Sequence, residues 1–408
     1  MQILFLAGGN SNRVKPVGDK VLLKFCGETL FEKQIRNLSN LNPRKIVVAG
    51  NSANLEKIKK IAAAKFGEIR FEFFAQKNYE KGFADAILES EKFLNLNDPL
   101  LIVNSNDFVE NKFWENLDGE IEKSAAEILI CGKIVENYFP GGYLKLQKNR
   151  IEKIVEKPKP GTEPSNLIAV LIHFFKNPQR IFDAINSTKN AADGFYEAAL
   201  QKLFDEKVPN RVFEFKEFWR AIKYPWDVLQ LSQHFLKSLN KNFIHPSAKI
   251  AKTAVLKGKY FIGENCEIAD GAVLSGWNYV SANCKIGNSI LVRDSEFGEN
   301  CVAGFGTEIA RSKIEKNCWF HQNFVGDSIF CKNVSLGAGA RTANLRLDER
   351  EIFVEIKNQK VATNLKKFGC AIGKNSRVGV NSTIFPGILI GENNFIGAGI
   401  CVEKNLEN

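Results

Sequence analysis

Residues 372–402 read IGKNSRVGVNSTIFPGILIGENNFIGAGICV, and an aliphatic side chain occupies every sixth position of this stretch. The positions are Ile372, Val378, Ile384, Ile390, Ile396 and Val402. Before a one-residue slip at Phe297, the same spacing runs through Ile244, Ile250, Leu256, Ile262, Ile268, Leu274, Val280, Ile286 and Val292. A period of six predicts a short strand and a turn in each hexad, and three hexads close one triangular coil with the aliphatic side chains inside. We therefore predict a left-handed parallel β-helix of hexapeptide repeats over residues 244–408.

Two segments beside these repeats lack the period of six. Residues 341–368 interrupt the hexads with charged side chains, and we interpret them as a loop ejected from the β-helix. Residues 229–243 precede the repeats and carry apolar side chains at helical spacing, which predicts a helical linker.

The first half of the chain has a different pattern. Short apolar runs of strand length lie at residues 2–7, 45–49, 71–75 and 100–104, and amphipathic stretches separate them at residues 29–41, 54–66 and 83–94. Strands that alternate with helices indicate βαβ units. A later hairpin is expected over residues 143–147 and 152–156. Residues 1–228 are therefore predicted to form a Rossmann-like α/β domain with a mainly parallel sheet.

The composition indicates a globular protein of the reducing cytoplasm. The 408 residues are 44% hydrophobic and 25% charged, and the nine cysteines form no C-x-x-C pair. The net charge is +10, but the basic residues are mixed with acidic ones rather than clustered, so no nucleic-acid partner is expected. The chain begins directly with a strand and its apolar runs are too short for a bilayer, so we expect neither a signal peptide nor a membrane partner.

A glycine turn follows the first predicted strand. Ala7, Gly8 and Gly9 form it, and Arg13 and Lys20 come shortly afterwards. Backbone N–H groups of such a turn can approach phosphates closely, and two cations can neutralise a triphosphate. The pair of glycines alone fits a plain tight turn equally well. It is neither a P-loop nor a dinucleotide fingerprint, because no G-K-[ST] and no G-x-G-x-x-G is present.

The wider pattern resembles a known family. Residues 6–30, LAGGNSNRVKPVGDKVLLKFCGETL, resemble the signature of sugar-phosphate nucleotidylyltransferases. Further elements resemble that family's base, metal and sugar segments, and they are Gln76 with residues 82–86 (GFADA), Asn106-Asp107, Gly141-Gly142-Tyr143, Glu156-Lys157-Pro158 and Asn166. The resemblance covers residues 1–228 and implies in-line attack of a sugar phosphate oxygen on the α-phosphorus of UTP or dTTP, with pyrophosphate leaving.

The resemblance also implies roles for individual residues. Arg13 would meet the leaving pyrophosphate and Lys20 the triphosphate, while Asp107 would bind Mg²⁺. The residues implied to bind the nucleotide are Ala7, Gly8, Gly9, Gln76 and Gly82. Those implied to bind the sugar phosphate are Gly142, Glu156, Lys157 and Asn166. The sequence departs from the family at Ala221, where a second metal-binding aspartate is expected, at Phe83 and at Leu171.

The second half carries one histidine in a suggestive context. A lone histidine is more often structural than catalytic, but His321 opens the run HQNFVGDSIFCKNVSLGAGARTANLRLD. This run resembles the acetyltransferase domain of bifunctional N-acetylglucosamine-1-phosphate uridylyltransferase/glucosamine-1-phosphate acetyltransferases of the archaeal type. The resemblance implies that His321 is the general base, that Asn344 holds substrate or orients the base, that acetyl-CoA is the co-substrate and that the chain forms a homotrimer. Phe324 stands where that family commonly has tyrosine.

Four interpretations remain open from the sequence, and the least favoured of them is a non-enzymatic scaffold. The leading one is a bifunctional enzyme that makes a nucleotide sugar, with UDP-N-acetylglucosamine as the expected product. Phe324 favours a nucleotidylyltransferase whose β-helix is only a trimerisation or regulatory platform. Ala221 favours a protein that binds sugar nucleotides without turnover.

Overall fold

The computed structural model describes residues 1–188 and 194–407. It divides into two compact units, of which the first comprises Met1–Asn10 and Leu30–Ala221. The second comprises Ser11–Thr29 and the chain from Ile222 onward. The segment that carries Arg13 and Lys20 therefore belongs to the second unit, although sequence analysis grouped it with the α/β domain.

The first unit is built on a nine-stranded sheet. Its strands in spatial order are Arg150–Glu156, Gly142–Gln147, Leu167–Phe175, Leu100–Asn104, Gln2–Leu6, Lys45–Gly50 and Phe71–Ala75. Strand Ile128–Ile134 also pairs with Leu167–Phe175, and Asn210–Glu214 pairs with Ile128–Ile134. The helices are Leu30–Ser39, Leu55–Lys65, Phe83–Ser90, Asn111–Lys123, Gln179–Ser187 and Phe195–Asp205. A separate pair of short strands, Asp107–Val109 and Trp219–Ala221, runs antiparallel.

The four strands predicted from the sequence lie side by side in this sheet. They are parallel and almost entirely apolar, and three of them are buried on both faces because helices flank such strands. The strand Phe71–Ala75 is only half-buried. Leu6 lies opposite both Ala49 and Asn104, so the carboxyl ends of the strands meet at one edge. Open α/β sheets bind ligands at this edge. The rest of the sheet is largely antiparallel, and strand Leu167–Phe175 joins the two parts.

The second unit contains the predicted β-helix, in which each coil contributes one short strand to each of three parallel sheets of eight strands. The first sheet comprises Phe243–Ile244, Lys259–Ile262, Trp277–Val280, Glu296–Phe297, Lys313–Ile314, Ile329–Phe330, Cys370–Ile372 and Ile388–Ile390. The second comprises Lys249–Ile250, Glu267–Ile268, Lys285–Ile286, Val302–Ala303, Trp319–Phe320, Ser335–Leu336, Arg377–Val378 and Phe395–Ile396. The third comprises Val255–Leu256, Val273–Ser275, Leu291–Arg293, Glu308–Ala310, Phe324–Gly326, Arg341–Thr342, Thr383–Ile384 and Cys401–Val402.

The hexad side chains stack in register inside the coils. Ile250, Ile268 and Ile286 pair in succession, as the period of six requires for three hexads per coil. The slip at Phe297 is a coil shortened by one residue, since Val280 pairs directly with Phe297 and the stack continues to Ile314. The fold class predicted from the sequence is therefore confirmed.

Asparagine and cysteine have structural uses in the coils. Asparagines occupy left-handed turn positions, for example Asn265 (φ 53°) and Asn283 (φ 59°), where a short polar side chain is tolerated. Their amides hydrogen-bond between coils. Buried thiols donate to carbonyl oxygens of the next coil, as between Cys266 Sγ and Ser281 O at 2.8 Å. All nine cysteines are free.

Two further parts complete the second unit. Helix Pro225–Lys237 begins with a capping box in which the Asp227 carboxylate accepts from the backbone N–H groups of Lys223 and Tyr224. The interruption of the hexads holds an antiparallel hairpin of Phe353–Ile356 and Gln359–Ala362, and the coils resume at Cys370. Within the described residues, no helix is long and apolar enough to cross a membrane.

Candidate active site

The glycine turn is held against the neighbouring strand. The Ala7 N–H donates to Ala49 O at 2.7 Å, and the buried Asn54 amide donates to Ala7 O at 2.9 Å. A Cβ atom on Gly8 would lie 2.5 Å from Gln76 Oε1, so a side chain at this position would displace the Gln76 amide. Gly9 is exposed. The turn therefore presents bare backbone at the carboxyl edge of the parallel strands.

Gln76 organises the loop that follows the strand Phe71–Ala75. Its side-chain Nε2 donates to Asn78 O at 2.7 Å and to Gly82 O at 3.2 Å. Both amide protons are thus used within the loop, and the amide oxygen is the atom that faces Gly8. Gly82 has a φ of +58° and is the N-cap residue of helix Phe83–Ser90.

Glu156 and Lys157 lie at the end of a strand in the antiparallel part of the sheet. Their side chains form an ion pair with 3.2 Å between Lys157 Nζ and Glu156 Oε1. Gly142 pairs with Glu156 across the hairpin, and a Cβ atom there would lie 3.2 Å from Ile154 Cδ1 and 3.5 Å from Glu156 Oε2. Gly142 is buried, so its role in the structure is to allow this close packing.

A cavity of about 360 Å³ in the first unit connects these parts. The sequence-predicted residues that line it are Gly8, Gly9, Gln76, Gly82, Glu156 and Lys157. Ala7, Asp107, Gly142 and Asn166 are not part of its described lining. The cavity is also lined by residues that no motif pointed to, namely Tyr79, Lys81, Asn104, Phe195 and Tyr196. No sequence signal marks them, except that Asn104 ends a predicted strand.

Asp107 is a buried carboxylate that accepts from polar side chains on both of its oxygens. Oδ2 accepts from Asn104 Nδ2 at 2.8 Å, and Oδ1 accepts from Trp219 Nε1 at 2.9 Å. Ala221 lies directly opposite Asp107 in the short strand pair. The described residues hold no cluster of three or more acidic, histidine or cysteine side chains suited to a metal. A single carboxylate fits a cation shared with substrate phosphates, but not a cation held by the protein alone.

Arg13 and Lys20 lie in the second unit. Arg13 is exposed in the 3₁₀ turn Asn12–Val14. Lys20 is buried at the start of a second 3₁₀ turn, Lys20–Leu22, whose N-cap residue Asp19 accepts from Val21 N at 3.1 Å. Local capping thus fixes the backbone at Lys20.

His321 lies at a corner of the β-helix, between the second and third sheets. Its side chain is exposed, and its ring centroid is 6.4 Å from that of Trp319. The buried Asn323 holds this corner, because its Oδ1 accepts from the His321 N–H and its Nδ2 donates to Gly337 O at 2.8 Å and Ala340 O at 2.9 Å. No motif in the sequence pointed to Asn323.

Asn344 lies at the next corner, beyond the third sheet. Its Nδ2 donates to Asp327 Oδ2, and its carbonyl oxygen accepts from Phe368 N at 3.0 Å at the base of the ejected loop. Arg311 binds both oxygens of Asp327 at 2.7 Å, and this carboxylate raises the pKa of Arg311. Within one chain, His321 and Asn344 thus lie at opposite ends of strand Phe324–Gly326.

The fold and cavity define a class of protein, a Rossmann-like nucleotide-binding domain combined with a hexapeptide-repeat β-helix. A family model for nucleotidyl transferase matches residues 2–237, and the chain belongs to this family. A bifunctional sugar-1-phosphate nucleotidylyltransferase/acetyltransferase from Sulfurisphaera tokodaii is 32% identical over 421 residues, covering 100% of this chain and 98% of the relative. A bifunctional protein GlmU from Methanocaldococcus jannaschii is 29% identical over 417 residues, covering 100% of this chain and 96% of the relative.

A solved structure supports the fold of the first half. A putative glucose-1-phosphate thymidylyltransferase from Bacillus anthracis, solved in complex with sucrose, matches with a TM-score of 0.50 and 16% identity. The match covers 59% of this chain and 97% of that structure. At this identity the likeness concerns the fold alone.

Proposed function

We propose that this protein joins a sugar 1-phosphate to a nucleoside triphosphate, releasing pyrophosphate, and that its β-helix transfers an acetyl group from acetyl-CoA to an amino-sugar 1-phosphate. The observation that carries the proposal is the cavity that collects the glycine turn, Gln76, Gly82 and the pair Glu156–Lys157. The full-length relative from Sulfurisphaera tokodaii bears both activities in its name. UDP-N-acetylglucosamine is the proposed product.

The geometry of Gln76 supports uracil or thymine as the base. Its amide protons are used by Asn78 O and Gly82 O, which leaves the oxygen to accept a hydrogen bond from a ligand. Uracil and thymine present an N–H at the centre of their pairing edge, as guanine also does, whereas cytosine and adenine present an acceptor nitrogen there. Together with the family resemblance of the segments around Gln76, this supports UTP or dTTP as the proposed nucleotide.

Positioning and charge neutralisation would drive nucleotidyl transfer. The backbone of Gly8 and Gly9, with Arg13 and Lys20, would hold the phosphates, and Lys157 would hold the incoming sugar phosphate. The sugar phosphate oxygen forms a bond to the α-phosphorus while the bond to the pyrophosphate oxygen breaks. Glu156, Gly142 and Asn166 are proposed to hold the sugar.

A divalent cation is proposed to enter with the nucleotide. When bound, Mg²⁺ would neutralise charge on the phosphate oxygens, and Asp107 is the proposed protein ligand. In this chain Asp107 also orients Trp219 and Asn104 through the hydrogen bonds that it accepts from them.

His321 is the proposed general base for acetyl transfer. The amine nitrogen attacks the thioester carbonyl carbon, the carbon–sulfur bond breaks, and the imidazole takes the amine proton and passes it to the leaving thiolate. Asn344 lies at a different corner of its own chain, which supports a site completed by a neighbouring subunit, and we propose a homotrimer. The nine free cysteines support a cytoplasmic location.

The test measures both products with one preparation. Wild-type protein with UTP or dTTP, Mg²⁺ and N-acetylglucosamine 1-phosphate should release pyrophosphate, and with acetyl-CoA and glucosamine 1-phosphate it should release CoA. His321→Ala should lower CoA release by about 10²- to 10⁴-fold and spare pyrophosphate release. His245→Ala is the matched control, since His245 is half-buried at the start of the β-helix and its ring bonds to nearby Ser247 at 2.8 Å.

Each outcome decides between the interpretations. Pyrophosphate release without CoA release from the wild type would leave a nucleotidylyltransferase whose β-helix is a platform. No pyrophosphate from any common sugar phosphate and nucleotide, together with measurable nucleotide binding, would leave a protein that binds without turnover.

A further inference from the structure

The segment Ser11–Thr29 packs into the second unit over a buried polar cluster. A cavity of about 150 Å³ lies between this segment and the coils, lined by Lys24, Gly27, Tyr279, Glu296 and Lys313 among others. The segment ends in a short hairpin of Lys24–Phe25 with Glu28–Thr29. It is the same segment that carries Arg13 and Lys20.

Glu296 connects three parts of the second unit. Its Oε1 accepts from the Cys26 N–H of the segment at 2.7 Å. Its Oε2 accepts from Ser232 Oγ of helix Pro225–Lys237 at 2.8 Å and lies 3.1 Å from Lys313 Nζ of the neighbouring coil. The Glu296 side chain is only 5% exposed, so water does not replace these partners.

Lys313 holds the segment from the other side of this ion pair. Its side chain is 3% exposed, and its ammonium group donates to the carbonyl oxygen of Lys24. The same ammonium group lies 4.6 Å from the ring centroid of Phe25, which is itself fully buried. Removal of one member of a buried pair leaves an uncompensated charge, which is strongly unfavourable.

The fit of the segment is also steric. Gly27 has a φ of +86°, and a Cβ atom on it would lie 2.4 Å from Tyr279 Oη. Tyr279 belongs to the coil strand Trp277–Val280, so a side chain at Gly27 would displace the Tyr279 phenol group or push the hairpin away from the coils.

We infer that Glu296 and Lys313 are positioning residues for nucleotidyl transfer, because they fix the segment that bears Arg13 and Lys20. The inference rests on the proposed function, since it assumes that these two cations serve the phosphates. Nucleotidyl transfer then depends on the β-helix, because both positioning residues belong to its coils and neither belongs to the α/β unit. The sequence gives no sign of this, because both residues occupy ordinary positions of the hexad pattern.

The first test is Glu296→Gln in the full-length protein, with Glu267→Gln as the matched control. Glu267 is also a β-helix glutamate beside a lysine, but its pair with Lys285 is 3.8 Å long and exposed. We expect Glu296→Gln to lower kcat for pyrophosphate release by about tenfold or more, with KM for sugar 1-phosphate within about threefold. CoA release measured well below the unfolding temperature should stay near wild type, while the unfolding temperature itself should fall because Lys313 keeps an uncompensated buried charge. Glu267→Gln should change neither activity nor the unfolding temperature.

The second test changes the segment instead of the coils, and it serves if Glu296→Gln does not fold. Gly27→Ala should lower pyrophosphate release and leave CoA release intact. Gly399→Ala is the control, because Gly399 has a similar φ of +68° and a Cβ atom on it would meet no atom within 4 Å. Both variants suffer the same backbone strain, and only Gly27→Ala meets a steric clash.

Three results separate the possibilities. Equal loss of pyrophosphate and CoA release in Glu296→Gln would overturn the inference, since the pair would then only stabilise the β-helix. Unchanged pyrophosphate release in both Glu296→Gln and Gly27→Ala would also overturn it. Absence of pyrophosphate release from the wild type would instead refute the proposed nucleotidyl transfer.

Discussion

Replacement of Asn323 by alanine should separate the two proposed activities. The change removes the three hydrogen bonds that the buried Asn323 side chain makes to backbone groups, those to the His321 N–H, Gly337 O and Ala340 O. At about 1 kcal/mol net for each bond, the loss is about 3 kcal/mol of unfolding free energy. For a unit of this size that corresponds to a fall of about 6–12 °C in Tm.

The same change should reduce acetyl transfer. Asn323 fixes the corner that carries His321, and a displacement of about 1 Å at a catalytic group can lower a rate by about 10²-fold. CoA release measured well below the unfolding temperature should therefore fall about 10- to 100-fold, while pyrophosphate release persists. Thermal unfolding followed by circular dichroism measures the fall in Tm separately from the loss of activity.

Asn323→Asp provides a graded comparison. It keeps an acceptor for the His321 N–H but turns a carboxylate oxygen towards the carbonyl oxygens of Gly337 and Ala340. We expect Tm to decrease in the order wild type, alanine, aspartate. A Tm for the alanine variant equal to that of the wild type, or an aspartate variant that is the more stable of the two, would refute the reasoning.

Three further predictions concern other parts of the chain. Gln76→Ala should raise KM for the nucleotide about tenfold and leave KM for the sugar 1-phosphate nearly unchanged. The reason is that the carbonyl oxygens of Asn78 and Gly82 in the loop lose their hydrogen-bond donor. Initial rates of pyrophosphate release at varied substrate concentrations check this. Burial lowers the pKa of His173 to about 3, so between pH 3 and pH 6.5 only the unfolded chain takes up its proton. Stability should therefore rise with pH from 3 to 6.5 by up to about 5 kcal/mol, and urea titrations of His173→Gln should show a flatter slope. Ile372→Ala, at a fully buried hexad position, should cost about 2–5 kcal/mol in urea unfolding, whereas Phe395→Ala, 78% exposed, should cost under about 0.5 kcal/mol.

The sequence predicted the parts of the fold that follow from local pattern. The period of six identified the β-helix, and the coil shortened at Phe297 is visible as a slip in that period. The four parallel strands were found for the same reason, since a buried strand is a short apolar run. The order of the antiparallel strands was not predictable, because pairing such as that of Leu167–Phe175 with Leu100–Asn104 joins distant parts of the chain.

In the candidate sites, too, the sequence identified residues that belong to local motifs and missed contacts between residues far apart in the chain. Motif resemblance pointed to the glycine turn, Gln76, Glu156 and Lys157, and the structure brings these around one cavity. The motifs gave no sign that the Asp107 carboxylate accepts a hydrogen bond from Trp219, which lies 112 residues further along the chain. They also missed Asn323, whose bonds reach carbonyl oxygens in the next coil.

The sequence by itself determined the two architectures, because hexad and strand–helix periodicity are written residue by residue in the choice of apolar side chains. Only the tertiary structure decided that Ser11–Thr29 belongs with the coils rather than with the α/β unit. The reason is physical: Glu296 and Lys313 are buried charges whose partners, Cys26 N–H and Lys24 O, lie on a segment more than 250 residues earlier in the chain. Local patterns carry no information about which distant groups will satisfy a buried charge.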